Sequence, residues 1–472
     1  MQSPPTQDGY NAFENCTSLT DVTIGSDVKV IGQQAFYRCT NLTSVTLGSN
    51  ASNSTMEIMY EAFAECNSLR SLSLGTEVDI IGDYSFASCT SLQTVRIPGT
   101  VSSIKNGAFK GCTAMKSLEI GDNDMSHGTI IYNNAFNGCS GLENTSINRS
   151  VLLNTPSETS SEVPFGTDIF VDCTGDVYIN CALDGFANDY PFDYDPLLPT
   201  ASVFNKAKFD TITIGPDIYC IGEGFFHNAN FNSINIGDNV TTIEPDAFVN
   251  ANGGDFIFSE NSKLSKIGDR AFWGCTMKDC ILPESLTSIG KWAFYHILGQ
   301  NLTIGSNVIE IGTEAFHDAV IHNMFTIKCD LSNTALQGIF NLYFGSLHII
   351  GYYDKINAGI SCTVLLNADK IMDKVIVEGT ITDISEANLY LPTSLNELHL
   401  CKSIQNIGTF SIPAENSTVY KFYCAPTEPP TLGLWKPFTE ETTIYVPQNS
   451  VEKYKTAEGW SEFANNIVGY DF

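Results

Sequence analysis

The stretch Ile31-Gly-Gln-Gln-Ala35-Phe36-Tyr-Arg-Cys39-Thr-Asn-Leu42-Thr-Ser-Val45-Thr-Leu47-Gly48 decides the fold, because it keeps returning along the chain. Its Ala-Phe-x-x-Cys centre recurs as Ala12-Phe13 with Cys16, Ala62-Phe63 with Cys66, Ser85-Phe86 with Cys89, Ala108-Phe109 with Cys112 and Ala135-Phe136 with Cys139. From Phe13 onward these phenylalanines stand 23, 27, 23, 23 and 27 residues apart. Three residues after each Cys comes an apolar side chain (Leu19, Leu42, Leu69, Leu92, Met115, Leu142), and then the alternation of Val45-Thr-Leu47, the period of a short half-buried strand. Ahead of the Phe, pairs such as Ile31-Gly32, Ile81-Gly82, Ile289-Gly290 and Ile311-Gly312 close a turn, where glycine suits a sharp bend.

A unit of about 23 residues cannot bury its apolar face alone and does so by stacking on its neighbours, which predicts a solenoid. The expected coil has a parallel β-sheet on one side and short turns or 3-10 segments on the other. Val45, Leu47 and their equivalents point inward, and the Phe residues form one column of rings across the same core. Ser44 and Thr46 then face outward.

The first block spans 1–147. Residues 148–200 are rich in Asp, Pro, Thr and Ser and read as an insertion or as degenerate coils. A second block, 201–330, resumes with Phe226, Phe248, Phe272, Phe294 and Phe316 at spacings of 22, 24, 22 and 22. Degenerate repeats fill 331–420. The segment 421–472 reads as a polar C-terminal cap with a short helix, N-capped by Asn449 and running to about Ala464.

Composition narrows the function. The 472 residues carry 53 Asp and Glu against 24 Lys and Arg, a formal charge of −29, so nucleic acid is a poor partner. Hydrophobic residues make up 43%, too many for a disordered chain. No apolar run is long enough to span a membrane, and the first residues lack the basic and apolar regions of a signal peptide.

The repeated Ile-Gly-x-x-Ala-Phe-x-x-Cys-x-x-Leu-x-x-Val-x-Ile-Gly/Pro resembles the BspA-like leucine-rich repeat of bacterial surface proteins, common among gut and oral Bacteroidetes. The stretch Tyr445-Val-Pro447, Tyr454 and Gly459-Trp460-Ser-Glu-Phe463 looks like the terminal segment such proteins often carry. The resemblance implies a leucine-rich repeat solenoid without enzymatic activity. It further implies adhesion to host or microbial proteins or glycans from an extracellular or outer-surface location, with any export signal missing from the sequence in hand. A monomer is the expected state.

Catalytic signatures are missing from the sequence. There is no Gly-x-Ser-x-Gly elbow, phosphate loop or His-Glu-x-x-His, so no catalytic and no metal-ligating residues are assigned. Six cysteines at one repeat position should run parallel down the stack as buried thiols rather than pair as disulfides; Cys173 with Cys181 and Cys275 with Cys280 are the close pairs outside that ladder. No cofactor is expected. The one place where calcium could bind is the acidic cluster Asp168, Asp172, Asp176, Asp184, Asp189, Asp193 and Asp195, which lacks EF-hand spacing.

The expected ligand face is the outward side of the strands: Ser44, Thr46, Ser71, Ser73, Thr94, Arg96, Ser117 and Glu119. The two 27-residue units add rim loops containing Asn50, Asn53, Asp122 and Asp124. Two rival readings are a carbohydrate-processing or carbohydrate-binding site supplied by the carboxylates and aromatics of 148–200, and a structural surface spacer.

Overall fold

In the computed structural model the described residues are 10–48, 55–123, 128–149, 151–152, 167–181, 202–330, 340–351, 360–362, 372–384, 389–390, 394–408, 418–433 and 438–472. They form two units, Met1–Ile257 and Phe258–Phe472, each a parallel β-solenoid.

In the first unit the strands Asp21–Ile24, Ser44–Leu47, Ser71–Leu74, Thr94–Ile97, Ser117–Ile120 and Asn144–Ile147 stack in parallel, followed by Thr174–Ile179, Lys208–Ile214 and Asn230–Ile236. Register is strict: Val22 pairs with Val45 and Ile24 with Leu47, so inward side chains from successive coils fall in two apolar rows. A second, shorter parallel ladder runs through Val30–Ile31, Met56–Ile58, Val78–Ile81, Ser103–Ile104, Thr129–Ile131 and Val151–Leu152. The repeat pattern had suggested only a turn there. The glycine beside this ladder is selected for space rather than for a bend: Gly82 has no positive φ, and a Cβ on it would run into the carbonyl of Ile58 one coil earlier.

The Ala-Phe segment makes the third wall. Two residues flanking each Phe take the left-handed conformation, Gln34 and Arg38 around Phe36, Tyr84 and Ser88 around Phe86, Trp292 and His296 around Phe294. That conformation is costly for a side chain as bulky as Tyr or Trp. Backbone bonds between coils offset it: Gln34, Phe36 and Arg38 donate to the carbonyls of Tyr60, Ala62 and Ala64 at 2.8–3.0 Å.

Inside, the phenylalanine rings stack from Phe13 to Phe136 at centroid spacings of 4.9–5.5 Å and interplanar angles of 1–7°. The stack then continues where the sequence reading found no motif, through Phe170 and Phe204 to Phe226 and Phe248. Residues 167–181 thus build a regular coil. Cys173, set apart from the ladder in the sequence reading, belongs to it: its thiol donates to the Phe136 carbonyl at 3.1 Å, as Cys139 does to Phe109 at 3.3 Å. The described cysteines are free thiols.

The second unit keeps the stack in Phe272, Phe294 and Phe316, 5.0 and 5.1 Å apart. Its longest strand, the 12-residue Phe340–Gly351, is followed by shorter ones, Met372–Gly379, Ser394–Leu400, Thr418–Cys424 and Thr443–Pro447, all parallel. The last strand, Ile467–Tyr470, pairs with Thr443–Pro447. Between these two strands the helix expected from Asn449 to about Ala464 is broken in two: an α-helix covers only Val451–Thr456, preceded by Ser450 rather than Asn449, and a 3-10 segment covers Ser461–Asn466. The break brings Gly459 to φ +81 and turns Trp460 inward. Trp460 and Tyr454 are fully buried, their rings 4.9 Å apart at 83°, and each donates to a proline carbonyl, Pro430 and Pro426, at 2.8 Å.

Candidate ligand-binding face

Outward positions follow from register. Asp21, Ser44, Ser71, Thr94, Ser117, Asn144 and Asp176 lie opposite one another down the first unit, and Thr94 and Arg96 stand across from Ser117 and Glu119. Between the outward positions, Val45, Val95, Leu118 and Val177 are buried, so the alternation is a real two-faced sheet. All eight outward residues expected from the sequence therefore share one face.

Only two of the eight, Ser117 and Glu119, line the depression of about 380 Å³ that the face contains. Its other polar walls are Asn144, Ser146, Asp176, Tyr178, Thr211 and Thr213. Asn144 and Ser146 were legible by continuing the strand alternation one coil further. Asp176 and Tyr178 were missed because Thr174–Ile179 lies where the Ala-Phe-x-x-Cys signal had faded. Against the next strand the register shifts, Gly175 to Val177 standing opposite Phe209 to Ile212, so Lys208–Ile214 carries one extra residue, a bulge beside the depression.

The electrostatics here are those of a solvated, weakly acidic surface. Arg96 Nε lies 3.5 Å from Glu119 Oε2 with both side chains well exposed, a pair worth little in stability. Asp176 Oδ1 accepts the Thr211 backbone N–H at 3.1 Å, which fixes the carboxylate at the edge of the depression. Ser44 donates to Asp21 at 2.5 Å, and that bond holds the Asp21 carboxyl below its usual range.

Of the rim loops, Asn50, Asn53 and Asp124 lie outside the described residues. Asp122 is exposed, with its carboxylate over Gly99. In the acidic cluster, Asp184, Asp189, Asp193 and Asp195 also lie outside. The three described members are spread around their coil and each is engaged: Asp168 by Asn205, Asp172 by Lys208 and Asp176 by Thr211. Among the described residues no three His, Cys, Asp or Glu side chains are grouped to hold a metal ion. No described helix is long and apolar enough to cross a membrane.

The cysteine ladder is shielded chemistry. Burial pushes the thiols of Cys66, Cys89 and Cys112 upward, Cys66 to about 12, so they stay protonated and inert near neutrality.

The chain matches the family model described as the BspA type leucine-rich repeat region, in six copies, over residues 6–143, 200–319 and 254–344. Among solved structures, it is similar to a leucine-rich repeat protein from Bacteroides ovatus at 17% identity, covering 90% of this chain and 92% of that one, with a TM-score of 0.35. A leucine-rich cell surface protein from Faecalibacterium prausnitzii aligns at 21% identity over 62% and 79% of the two chains, TM-score 0.22. The pneumococcal vaccine antigen PcpA aligns at 15% identity over 96% and 80%, TM-score 0.27. No curated protein matches the chain significantly.

Proposed function

The chain belongs to the BspA-type leucine-rich repeat family, and from that premise we propose that it is an exported, non-enzymatic binding protein. It engages extracellular protein or glycan ligands across the outward sheet face of its first unit. The observation that carries this reading is the convergence of register-aligned polar rows on the depression between Ser117, Asp176 and Tyr178. A shallow hollow of mixed polar and apolar lining on a broad sheet suits an extended surface or chain better than an enclosed metabolite. Tyr178, 38% exposed amid small hydroxyl side chains, is the natural anchor, since aromatic residues carry most of the energy at such contacts.

The test is binding of immobilised matrix proteins, mucins and dietary or bacterial glycans to the wild-type chain and to a variant carrying Ser146→Lys with Tyr178→Ala. Specific binding that the variant loses supports the reading and its location. Binding that survives the pair moves the site elsewhere, and no binding to any of the probes favours the spacer.

A further inference from the structure

The second unit presents a face of different chemistry. Across Met372–Gly379, Ser394–Leu400, Thr418–Cys424 and Thr443–Pro447, register aligns Lys374, Glu397, Lys421 and Thr443 in one row and Ile376, His399, Tyr423 and Tyr445 in the next. Val375, Leu398, Phe422 and Ile444 alternate with them and are buried, so both rows face outward.

The charged row is built around one carboxylate. Glu397 Oε2 lies 3.3 Å from Lys374 Nζ and 3.1 Å from His399 Nε2, while Oε1 accepts from Lys421 Nζ at 3.0 Å. Burial by itself would raise the Glu397 pKa, yet the bonds from His399, Lys421 and Lys374 hold it at about 2. Two ammonium groups thus share one carboxylate; the next acid on this face, Glu378, lies on the far side of His399 and 3.2 Å from His348 Nε2, so the lysine end of the cluster is the cationic one on a chain of net charge −29. Each ammonium has three donors, and the Lys374 and Lys421 side chains are 33% and 43% exposed, so donors remain for a ligand.

The aromatic row ends in open rings. His399 stacks on Tyr423 at 4.0 Å and Tyr423 on Tyr445 at 4.5 Å. Tyr470 lies across both tyrosines, 5.3 and 5.6 Å away and turned by 73° and 71°, with Phe472 set against it at 5.0 Å. Tyr470 and Phe472 are 42% and 45% exposed.

We propose that this face is a second binding site, selective for an acidic sugar: a uronate or sialate residue of a glycan. Its carboxylate is taken by Lys374 and Lys421, and its apolar C–H face packs on the Tyr470–Phe472 corner. Glu397 contributes to the selectivity against neutral sugars, because the acceptor that would otherwise take sugar hydroxyls already faces three partners, Lys374, His399 and Lys421, which occupy most of its about four lone-pair sites. The net acidity of the chain disfavours long polyanions. A single carboxylate beside the lysines is instead governed by its nearest charges, since charges beyond about 8 Å are largely screened at physiological salt. An acidic peptide would satisfy the lysines but leave the aromatic corner without a flat apolar ring face.

Two probe pairs test this by calorimetry on the full chain: oligogalacturonate against its methyl ester, and sialyllactose against lactose. The acid of at least one pair should bind, at least about tenfold more tightly than its neutral counterpart, a ratio worth about 1.4 kcal/mol. Lys374→Gln with Lys421→Gln should abolish that binding. Tyr470→Ser, which leaves the charge cluster intact, should weaken it with an unchanged melting temperature, so a folding defect cannot imitate the result. The Ser146→Lys, Tyr178→Ala variant of the first unit should bind as wild type, which separates this inference from the reading of that face. No binding by either acid would overturn the proposal, as would equal binding of the neutral partners, equally tight binding of a glutamate-rich peptide, or indifference to the lysine and Tyr470 variants.

Discussion

The thiol of Cys89 lies 3.3 Å from the carbonyl oxygen of Phe63, one coil earlier, and Cys66 and Cys112 repeat the contact to Phe36 and Phe86. The cysteine is therefore a small buried donor that ties one coil to the last, and its pKa is pushed up by desolvation. Iodoacetamide at pH 8 should modify Cys16, which is exposed, within minutes, and leave Cys66, Cys89 and Cys112 unmodified until denaturant is added. Peptide mapping by mass spectrometry reads this out; rapid labelling of Cys89 in the native chain would refute the buried ladder.

Thr145 occupies the inward row otherwise held by Val45, Val95, Leu118 and Val177, is 3% exposed, and its hydroxyl has no hydrogen-bond partner. Thr145→Val should stabilise the first unit by about 1 kcal/mol, because a desolvated hydroxyl is replaced by a methyl of nearly the same shape. Urea unfolding followed by tryptophan-independent circular dichroism measures it, and a lower midpoint would show that the hydroxyl is bonded after all.

Trp460 closes the second unit, with its indole donor on the Pro430 carbonyl. Trp460→Ala should cost about 3–5 kcal/mol through the cavity it leaves. Trp460→Phe should cost about 1–3 kcal/mol, mainly for the carbonyl left unpaired. Hydrogen exchange should show the loss concentrated in Thr418–Cys424, Thr443–Pro447 and Ile467–Tyr470; uniform loosening of both units would contradict a local plug.

His227 is 2% exposed, and burial lowers its pKa to about 4 from an ordinary 6.5. The unfolded chain therefore binds a proton between pH 6.5 and 4 that the folded chain refuses. Stability should fall with acidification across that window, by about 1.4 kcal/mol per pH unit from this group, and level off below it. In His227→Leu that share of the slope should vanish; an unchanged slope would assign the acid sensitivity to other groups.

Much of the coil was legible because its determinants are local and periodic. The Phe spacing requires a ring column, the Val-x-Leu alternation requires a two-faced strand, and the invariant Cys position fits a buried thiol. Phe170 and Phe204 escaped notice: Phe170 keeps the Phe-x-x-Cys core in Phe170-Val-Asp-Cys173, but Ile169 replaces the Ala and the spacing to its neighbours is irregular, while Phe204 has lost both the Ala and the Cys and keeps only the ring. The short second ladder escaped because two-residue strands carry no period of their own. The role of Gly82 was misread, since close approach between coils leaves no mark in one coil's sequence.

The binding faces lie at the opposite extreme. Sequence alone determined that the chain stacks in coils, which residues point inward, and that the outward strand positions share a face, because each of these follows from a repeat and a strand period. Only the tertiary structure decided what meets what across coils. Unbroken register from Ser117–Ile120 through Asn144–Ile147 to Thr174–Ile179 sets Tyr178 across from Ser146 and Ser146 across from Glu119, and inter-coil register brings His399, Tyr423 and Tyr445 into one stack with Glu397 between two lysines. Lateral neighbours in a solenoid are set by hydrogen bonds between coils more than 20 residues apart, and where the repeat degenerates no spacing in the sequence records that register.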